Sequence, residues 1–302
     1  MKIGLIGIGD IAKKAYLPAL IQAKDVDLYL CSRNREALEE AAATFPGCRT
    51  YTDRESWIES GIEAAFVSTA TGAHEEIVDE LLDHGIHVYV DKPITFYGEA
   101  SERLLAKAKD NNLILMAGFN RRYAPPYQSL KEVPEPNMII MQKNRDHQAA
   151  EYRTFIVEDF IHVIDTLLYL FPYTIQNIRI RGMQKDGLVH HVMLELEADE
   201  GTAIGIMNRN AGTTEETVEL MSESETRVVH NISDVVTHQN KQINKQPVND
   251  WEPMLQKRGF FGITTAFIEA VRKGAASYTG YEADARRHAI AEQMVQKLMQ
   301  EQ

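Results

Sequence analysis

Three titratable residues follow one another at helical spacing in the middle of the chain. Glu158, His162 and Asp165 occupy positions i, i+4 and i+7, which places them on one face of an α-helix predicted from about Val157 to Phe171. The residues around them are strongly apolar, and a helix buried on most sides rarely carries three ionisable groups without use. We therefore predict a functional face on which His162, an imidazole with an ordinary pKa of about 6.5, exchanges protons near neutral pH.

Two other interpretations of this face stay open. Glu158, His162 and Asp165 also supply three plausible metal ligands, and a solvated helix face without function is the plainer alternative. We favour acid–base chemistry and predict no metal, because the nucleotide fingerprint at the chain start already gives the face a purpose.

The chain start carries that fingerprint. The apolar run from Ile3 to Ile8 is typical of a strand buried on both faces, and it overlaps the pattern Gly7-x-Gly9-x-x-Ala12. Gly7 permits a tight turn, Gly9 lets the backbone approach a pyrophosphate, and Ala12 lets the following helix pack closely. That helix, predicted from about Ile11 to Ala23, points its N-terminal amides at the same phosphate. We predict dinucleotide binding, with a purely structural turn as the alternative. The predicted contacts here are Gly7, Gly9, Asp10, Ile11 and Ala12.

The end of the second predicted strand bears on which nucleotide binds. A site for NAD places an acidic residue there, where it binds the ribose 2′-hydroxyl. This chain has Ser32-Arg33-Asn34-Arg35 instead, with no acid before Glu36. Two guanidinium groups and a hydroxyl suit a 2′-phosphate, so we predict NADP rather than NAD. The alternative is that both arginines are solvated loop residues.

Composition excludes several classes of partner. The 302 residues carry a formal net charge of −12, which argues against nucleic acids and anionic membranes, because both require clustered basic residues. No apolar run reaches about 18 residues, so no membrane span is predicted. Met1-Lys2 leads straight into a strand pattern, so no secretory segment is predicted. Two cysteines are too few for a disulfide framework, and we expect a cytoplasmic protein with both thiols reduced.

Strand and helix patterns alternate through the first part of the chain. This order predicts a doubly wound parallel sheet with helices on both faces, an N-terminal Rossmann domain over residues 1–120. After the first strand and helix, the predicted strands are 26–31, 64–68, 87–90 and 113–117, and the predicted helices are 36–45, 56–60, 75–83 and 98–111.

Strand patterns with short turns dominate the rest of the chain. They predict a C-terminal α+β domain, residues 121–302, built on a mostly antiparallel sheet, with the cofactor cleft between the two domains. Whether the last helix packs back on the first domain stays open. The predicted strands are 138–141, 175–181, 188–197, 202–208, 217–221 and 226–232, the predicted helices are 157–171, 260–273 and 282–300, and 241–250 is predicted to be a loop.

Several stretches resemble the Gfo/Idh/MocA family of oxidoreductases. They are the glycine turn followed by Leu17-Pro18-Ala19-Leu20, Ser68-Thr69 with His74 after it, Asp91-Lys92-Pro93, Gly118-Phe119-Asn120-Arg121-Arg122-Tyr123, and His162-x-x-Asp165. The stretches 159–166, 209–212 and 256–260 resemble the MviM-like branch of bacterial virulence factors, for which no substrate is defined.

The resemblance implies hydride transfer between a nicotinamide cofactor and a sugar, cyclitol or related polyol. Lys92 matches the catalytic lysine of the family, with Asp91 where Glu is usual, and His162 matches its acid/base histidine. The carboxylate four residues earlier is Glu158 where the family has Asp, and Asp159 is a second candidate to orient the imidazole. Other cofactor contacts that the resemblance implies are Ser68, Thr69, Ala70 (usually Pro), His74, Asp91, Lys92 and Asn120.

Alcohol oxidation requires a hydride acceptor, a base for the hydroxyl proton and a positive group at the oxygen. A lysine with its ordinary pKa of about 10.4 stays protonated, so Lys92 is expected to hold the substrate oxygen. The basic residues among the substrate candidates suit a carboxylate or a phosphorylated sugar, or else form functionally silent ion pairs. The predicted substrate residues are Arg121, Tyr123, Asp159, Asp165, Arg209 and Arg258.

Two alternative functions stay open, and the protein is expected to form an oligomer. The chain would be a nucleotide sensor if it bound NADP without chemistry, and some relatives are glycosidases that use bound nicotinamide cofactor transiently. The family also implies a homo-oligomer, a dimer or tetramer, formed through the outer face of the antiparallel sheet. The remaining partner is a small-molecule substrate.

Overall fold

The structure, a computed structural model, describes residues 1–247 and 251–300. Its contacts divide the chain into two compact units. The first comprises Met1–Phe119 and Phe260–His288, and the second comprises Asn120–Gly259 and the end of the chain from Ala289. The prediction had a single domain boundary at residue 120. It therefore did not assign residues 260–288 to the first unit, because one boundary cannot describe a unit that is built from two separate stretches of the chain. Within the described ranges, no helix has the length and apolar character needed to cross a membrane.

A six-stranded sheet lies at the centre of the first unit. Its strands are β1 Lys2–Ile6, β2 Asp27–Cys31, β3 Arg49–Tyr51, β4 Ala64–Val67, β5 His87–Val90 and β6 Leu115–Ala117. They lie in the order β3-β2-β1-β4-β5-β6, with every neighbouring pair parallel. This is the strand order of a doubly wound dinucleotide-binding fold, so the predicted fold class is confirmed. The sequence patterns missed β3, whose three residues contain no buried apolar run.

Helices of the first unit follow the strands. They are α1 Leu17–Ile21, α2 Arg35–Thr44, α3 Arg54–Glu59, α4 His74–Asp83 and α5 Gly98–Asp110. The predicted first helix begins as a π-helical turn, Ala12–Tyr16, which continues into α1. On α4 the buried residues recur at helical spacing, Ile77, Val78, Leu81 and Leu82, because the opposite face carries the charged residues.

An eight-stranded sheet forms the second unit. Its strands are β7 Met138–Asn144, β8 Asn177–Lys185, β9 Leu188–Glu197, β10 Thr202–Asn208, β11 Glu215–Met221, β12 Thr226–His230, β13 Asp234–Gln239 and β14 Gln242–Lys245. They lie in the order β14-β13-β12-β11-β7-β10-β9-β8. Among the described strands of this sheet, only the neighbours β7 and β10 are parallel, so the mostly antiparallel sheet is confirmed. The predicted loop 241–250 is wrong over β14, and its last three residues lie outside the described residues.

The helices of the later part of the chain are α6 Pro125–Leu130, α7 Ile161–Leu170, α8 Met254–Lys257, α9 Phe260–Lys273 and α10 Tyr281–Gln300. A π-helical segment, Thr154–Phe160, precedes α7. The predicted 157–171 helix is therefore α-helical only from Ile161, and the α-helical spacing used for the functional face applies to His162 and Asp165 alone. Glu158 lies in the π-helical segment, where each turn holds an extra residue.

Two packing contacts explain where the long helices lie. Helix α7 packs on β7 and β10, where a Cβ added to Gly205 would lie 2.5 Å from Val163 Cγ1. Glycine at this position therefore makes room for α7. Helix α9 joins the first unit because Phe267 packs edge-on against Phe66, with ring centroids 5.2 Å apart, beside the buried Tyr89.

Candidate functional site

The glycine turn after β1 has the geometry that a phosphate cradle requires. Gly7 adopts a φ of +91°, and a Cβ there would lie 2.7 Å from the backbone nitrogen of Thr69. Around Gly9, by contrast, no atom lies within 4 Å of the Cβ position. Ala12 is fully buried where the helix starts. The turn therefore packs tightly on its inner side and leaves its backbone open on the other.

A cavity of about 790 Å³ lies beside this turn, at the carboxyl ends of β1, β2, β3 and β4. Its volume falls in the range of small-molecule sites, roughly 300–1,000 Å³. The structure brings eight predicted cofactor residues to its wall, whereas Asp10, Ile11, Ala12, Arg35, His74, Asp91 and Lys92 are not among the lining residues. The eight are Gly7, Gly9, Ser32, Arg33, Asn34, Ser68, Thr69 and Ala70.

The loop after β2 is ordered by its own side chains. Ser32 Oγ accepts a hydrogen bond from the backbone nitrogen of Asn34 at 3.1 Å, and Asn34 Oδ1 accepts one from Ala37 and caps α2. Arg33 lines the cavity and forms no ion pair in the described part of the chain. Of the two predicted nucleotide-selective arginines, Arg33 is thus the one that lines the cavity.

The loop after β3 forms a part of the cavity wall that no sequence pattern indicated. Thr52, Asp53 and Arg54 line the cavity. Asp53 caps α3 by accepting a hydrogen bond from Ser56 N at 2.9 Å, and this contact, led by the Ser56 hydroxyl, holds the pKa of Asp53 below its ordinary value. Arg54 is paired with Glu76 at 2.5 Å. The capping spacing of Asp53 and Ser56 was a usable sequence signal, but it indicates a helix start rather than a site.

The loop that carries Lys92 is held by buried side chains. Asp91 Oδ1 accepts hydrogen bonds from Tyr16 Oη at 2.7 Å and from the backbone nitrogen of Lys92 at 2.9 Å, and the Lys92–Pro93 peptide is cis. The ring nitrogens of His74 lie 2.9 Å from the Pro93 carbonyl and 3.0 Å from that of Thr69. His74 thus joins the Lys92 loop to the loop that lines the cavity.

A second buried histidine fixes the other side of this loop. His288 Nε2 accepts a hydrogen bond from the backbone nitrogen of Ile94 at 3.0 Å, and its Nδ1 lies 2.8 Å from the Asp284 carbonyl oxygen. This arrangement assigns the proton to Nδ1. Because Ile94 and His288 are 194 residues apart, no local pattern in the sequence indicated this contact.

The three residues of the predicted functional face are buried to different extents. His162 is 7% exposed and Asp165 is fully buried, while Glu158 is partly exposed. Asp165 Oδ1 lies 3.2 Å from Arg122 Nε in an ion pair. The carboxylate of this predicted substrate residue is therefore already paired with a basic side chain of the protein. Tyr123 follows Arg122 in a 3₁₀ turn and is partly exposed.

Asp159, next to Glu158, binds two basic side chains, one at Lys143 in β7 and one at Arg145 directly after β7. Its carboxylate accepts two hydrogen bonds from Arg145, both at 3.0 Å, and a close one from the Lys143 ammonium. Burial works to raise the pKa of Asp159, but Arg145 and Lys143 hold it well below its ordinary value. Arg209 Nε lies 4.0 Å from the same carboxylate.

A neighbouring buried pair joins Arg121 to Glu216. Two hydrogen bonds of 2.7 Å connect the guanidinium to the carboxylate, and Tyr127 Oη donates a third at 2.5 Å. Together with Lys143, Arg145 and Arg258, this pair lines a polar cavity of about 330 Å³. Of the predicted substrate residues, Arg121 and Arg258 line this cavity, and Asp159 and Arg209 contact its wall or each other. Asp165 and Tyr123 do not line it.

Asn120, a predicted cofactor contact, is buried and donates from Nδ2 to the Arg258 carbonyl oxygen at 2.8 Å. The next residue, Gly259, has a φ of +78°, and a Cβ there would lie 2.2 Å from the Asn120 carbonyl oxygen. Glycine is thus required for this close approach. The contact sets the position of Arg258 at the polar cavity.

Each of the two units contains a stretch that matches a known family model. A family model described as the oxidoreductase family with an NAD-binding Rossmann fold matches residues 1–119, and a model described as YceM-like, C-terminal domain, matches residues 125–240. The protein named as oxidoreductase YceM of Salmonella typhimurium is 30% identical over 292 residues, which cover 93% of each chain. This chain belongs to the Gfo/Idh/MocA family of oxidoreductases.

Two further similar proteins are dehydrogenases. The crystal structure of the dehydrogenase MviM from Clostridium difficile matches with a TM-score of 0.87 and 26% identity, covering 100% of this chain and 99% of the other. A myo-inositol 2-dehydrogenase of Thermotoga maritima is 31% identical over 141 residues, 46% of this chain and 42% of that protein. The resemblance seen in the sequence is therefore confirmed, and the protein is an oxidoreductase with a Rossmann domain that binds a nicotinamide cofactor.

The residues at the glycine turn fit the cofactor of a Gfo/Idh/MocA Rossmann domain. The open position at Gly9 leaves room for a pyrophosphate against the backbone, and the adjoining cavity extends to Ser32 and Arg33 at one side and to Thr69 and Ala70 at the other. These residues would hold the nucleotide. No cluster of three or more His, Cys, Asp or Glu side chains suited to a metal ion occurs within residues 1–247 and 251–300.

Replacing Gly7 with alanine is expected to destabilise the first unit and to abolish nucleotide binding. Alanine at positive φ costs about 1–2 kcal/mol, and here its Cβ would also meet Thr69 at 2.7 Å. The matched control is Gly47→Ala, where φ is +96° but no atom lies within 4 Å. Urea unfolding and NADPH titration would compare the variants. Equal losses of stability in both would show that the contact with Thr69 contributes nothing.

Proposed function

We propose that this Gfo/Idh/MocA protein transfers a hydride between NADP and a hydroxyl group of a sugar, cyclitol or related polyol. The observation that carries the proposal is the glycine turn, tight at Gly7 and open at Gly9, at the edge of the 790 Å³ cavity. The inositol dehydrogenase among its relatives supports the substrate class. When bound, the nicotinamide ring accepts or donates the hydride.

His162 is proposed as the general base in the oxidation direction. Its imidazole takes the proton of the substrate hydroxyl and returns it when the reaction runs in reverse. The packing of α7 on β7 and β10, with Gly205 below Val163, holds this histidine in place. We assign Glu158 as the carboxylate that orients it, because both oxygens of Asp159 already bind Arg145 and one of them also binds Lys143.

Lys92 is proposed to donate a hydrogen bond to the same substrate oxygen and to stabilise the negative charge that develops there. Such a role requires a fixed backbone. Asp91 binds the Lys92 amide, His74 contacts the Pro93 carbonyl, and His288 binds the Ile94 amide. A loop held on both sides in this way restricts where the ammonium group can reach.

The test begins with nucleotide carried through purification, identified by mass spectrometry. A panel of sugars and cyclitols with NADP then follows the absorbance of the reduced nicotinamide. Reduction of NADP by any of them supports the proposal. Nucleotide binding without reduction supports the sensor, release of sugar with no net change of cofactor supports the glycosidase, and failure to bind either dinucleotide refutes all three.

We expect NADPH to bind more tightly than NADH, and Arg33 to cause the difference. Replacing Arg33 with glutamine should weaken NADPH binding about tenfold and leave NADH nearly unchanged, because a hydrogen bond to a charged group is lost only with the 2′-phosphate. Arg35→Gln removes the same charge outside the cavity lining and is the matched control. Fluorescence titration of both nucleotides measures the effect. Tighter NADH binding by the wild type would refute the assignment.

One face of the second sheet is suited to assembly between copies of the chain. The outer face of the second sheet has partly exposed apolar residues in its central strands, among them Ile140 of β7, Ile204 and Ile206 of β10, and we propose that a homodimer or homotetramer buries it. Light scattering of the purified protein tests this, and a monomer would refute it. The cytoplasmic location stays a prediction from the two free cysteines.

A further inference from the structure

Lys143 and Arg145, near the end of β7, share one internal carboxylate. Both bind Asp159, and Arg209 lies 4.0 Å from the same group. Lys143 is almost fully buried. Its ammonium has three N–H donors, and Asp159 also accepts both hydrogen bonds from Arg145. Positive charge therefore exceeds negative charge around this carboxylate.

The wall of the polar cavity adds a cation that forms no ion pair among the described residues. Arg258 lines the cavity together with Lys143 and Arg145. Its Nε donates to Met254 Sδ at 3.4 Å, and it forms no ion pair with any carboxylate in the described ranges. Arg121, on the same wall, is by contrast neutralised by its bidentate pair with Glu216.

Neutral donors complete the lining. Thr214, Asn144 and Asn231 also face this cavity, and Glu215, the second carboxylate of the wall, accepts a hydrogen bond from Asn144 Nδ2 at 3.1 Å. The wall of this recess of about 330 Å³ carries one buried ammonium, three guanidinium groups and two carboxylates. Its basic groups outnumber its acidic groups, which suits an anion, because charge-assisted hydrogen bonds to phosphate or carboxylate are the strong ones.

We propose that this cavity binds an anionic group of the substrate, a phosphate or a carboxylate, through Lys143, Arg145 and Arg258. The inference rests on the proposed function, and it narrows the substrate from polyols in general to sugars or cyclitols that carry such a group. Asp159 precedes His162 by three residues in the chain, and its carboxylate binds Lys143 and Arg145 of the cavity wall.

The titration of Lys143 is consistent with this assignment. Burial lowers the pKa of the Lys143 ammonium to about 8; Asp159 opposes the shift, and Arg121 and Arg145 reinforce it. A bound anion favours the charged ammonium, so it should raise this pKa. NMR of the protein with its lysines ¹³C-methylated can follow Lys143 with and without inorganic phosphate.

Binding of inorganic phosphate to the full chain, measured by calorimetry at constant ionic strength, is the direct test. We expect Arg258→Gln to weaken phosphate binding about tenfold, because one charge-assisted hydrogen bond is lost. Arg258 is exposed, so this variant should fold. Lys257→Gln, which removes the same charge one residue away and outside the cavity lining, should bind as the wild type does. If phosphate binds at the nucleotide cavity instead, Arg33→Gln should weaken its binding, so this variant identifies that site.

Kinetics then distinguish the two anions and the two proposals. Sugar phosphates, sugar acids and neutral polyols are compared with NADP, and Arg258→Gln should raise KM about tenfold for the anionic class with little change in kcat. Preference for phosphates or for acids names the group. Equal kcat/KM for neutral and anionic substrates, or phosphate binding that is unchanged in Arg258→Gln, would overturn the inference and leave the proposed oxidoreductase chemistry intact. Failure to bind NADP would refute the proposed function without affecting the phosphate result.

Discussion

His162→Ala is expected to lower kcat by about 10²–10⁴-fold, the usual contribution of a general acid–base group, and to leave the affinity for NADPH near that of the wild type. The two effects separate because the imidazole belongs to the second unit, whereas the nucleotide cavity is lined entirely by the first. Stopped-flow turnover with the best substrate of the panel measures the first effect, and fluorescence titration of NADPH measures the second.

His191→Ala is the matched control, since His191 is an exposed residue of β9 in the same unit. Its kcat should equal that of the wild type. Glu158→Gln should fall between the two, because the imidazole stays in place and loses only its orienting charge. Full turnover in His162→Ala would remove the acid–base assignment, and a parallel loss of NADPH affinity would indicate a structural role.

Most of the fold could be predicted because burial imposes a readable period on the sequence. Strands β9 and β10 begin and end where the alternation of apolar residues predicted, since every second residue of β10 is buried, as are Val192, Leu194 and Leu196 of β9. Strands β3 and β14 were missed for the complementary reason. All four residues of β14 are exposed at the edge of the sheet, and an edge strand without a buried face leaves no periodic signal.

The candidate site was predictable where a single local motif defines it. The glycine turn was one such motif, because the tight turn at Gly7 and the open backbone at Gly9 are requirements of residue type at fixed spacing. The loop after β3 was not found, since nothing between Thr52 and Arg54 indicates that β3 joins the sheet next to β2. The role of His288 was equally hidden, because its hydrogen bond joins residues far apart in the chain.

The basic residues of the second unit show what a sequence leaves undecided. Arg121 and Arg258 were candidates for substrate binding or for ion pairs, and residue type alone does not separate these roles. The structure separates the two roles. Arg121 is paired with Glu216, as the neighbouring Arg122 is with Asp165. Arg258 lines the polar cavity and forms no ion pair with a carboxylate among the described residues. Internal pairs of this kind should determine stability rather than specificity.

Glu216→Gln is therefore expected to destabilise the second unit by about 3–5 kcal/mol, because it leaves the Arg121 guanidinium buried without its counter-charge. Burial works to raise the pKa of Glu216, but Arg121 and Tyr127 hold it below the ordinary value. A carboxyl group with a depressed folded-state pKa stabilises the fold above its unfolded-state pKa, and this contribution is lost as the pH falls through the folded-state value. The stability difference between wild type and variant should thus be full at pH 7 and shrink in acid.

Urea unfolding at pH 7 and at several acidic pH values measures this difference. Glu197→Gln is the matched control in the same sheet, where the partner Arg179 is 59% exposed, and an exposed pair contributes only about 0–1 kcal/mol. The buried pair and the exposed pair differ mainly in solvation, so their comparison isolates the cost of an uncompensated charge in the interior. If both variants lose the same small amount, water reaches Arg121, and the guanidinium would then be open to an anionic ligand after all.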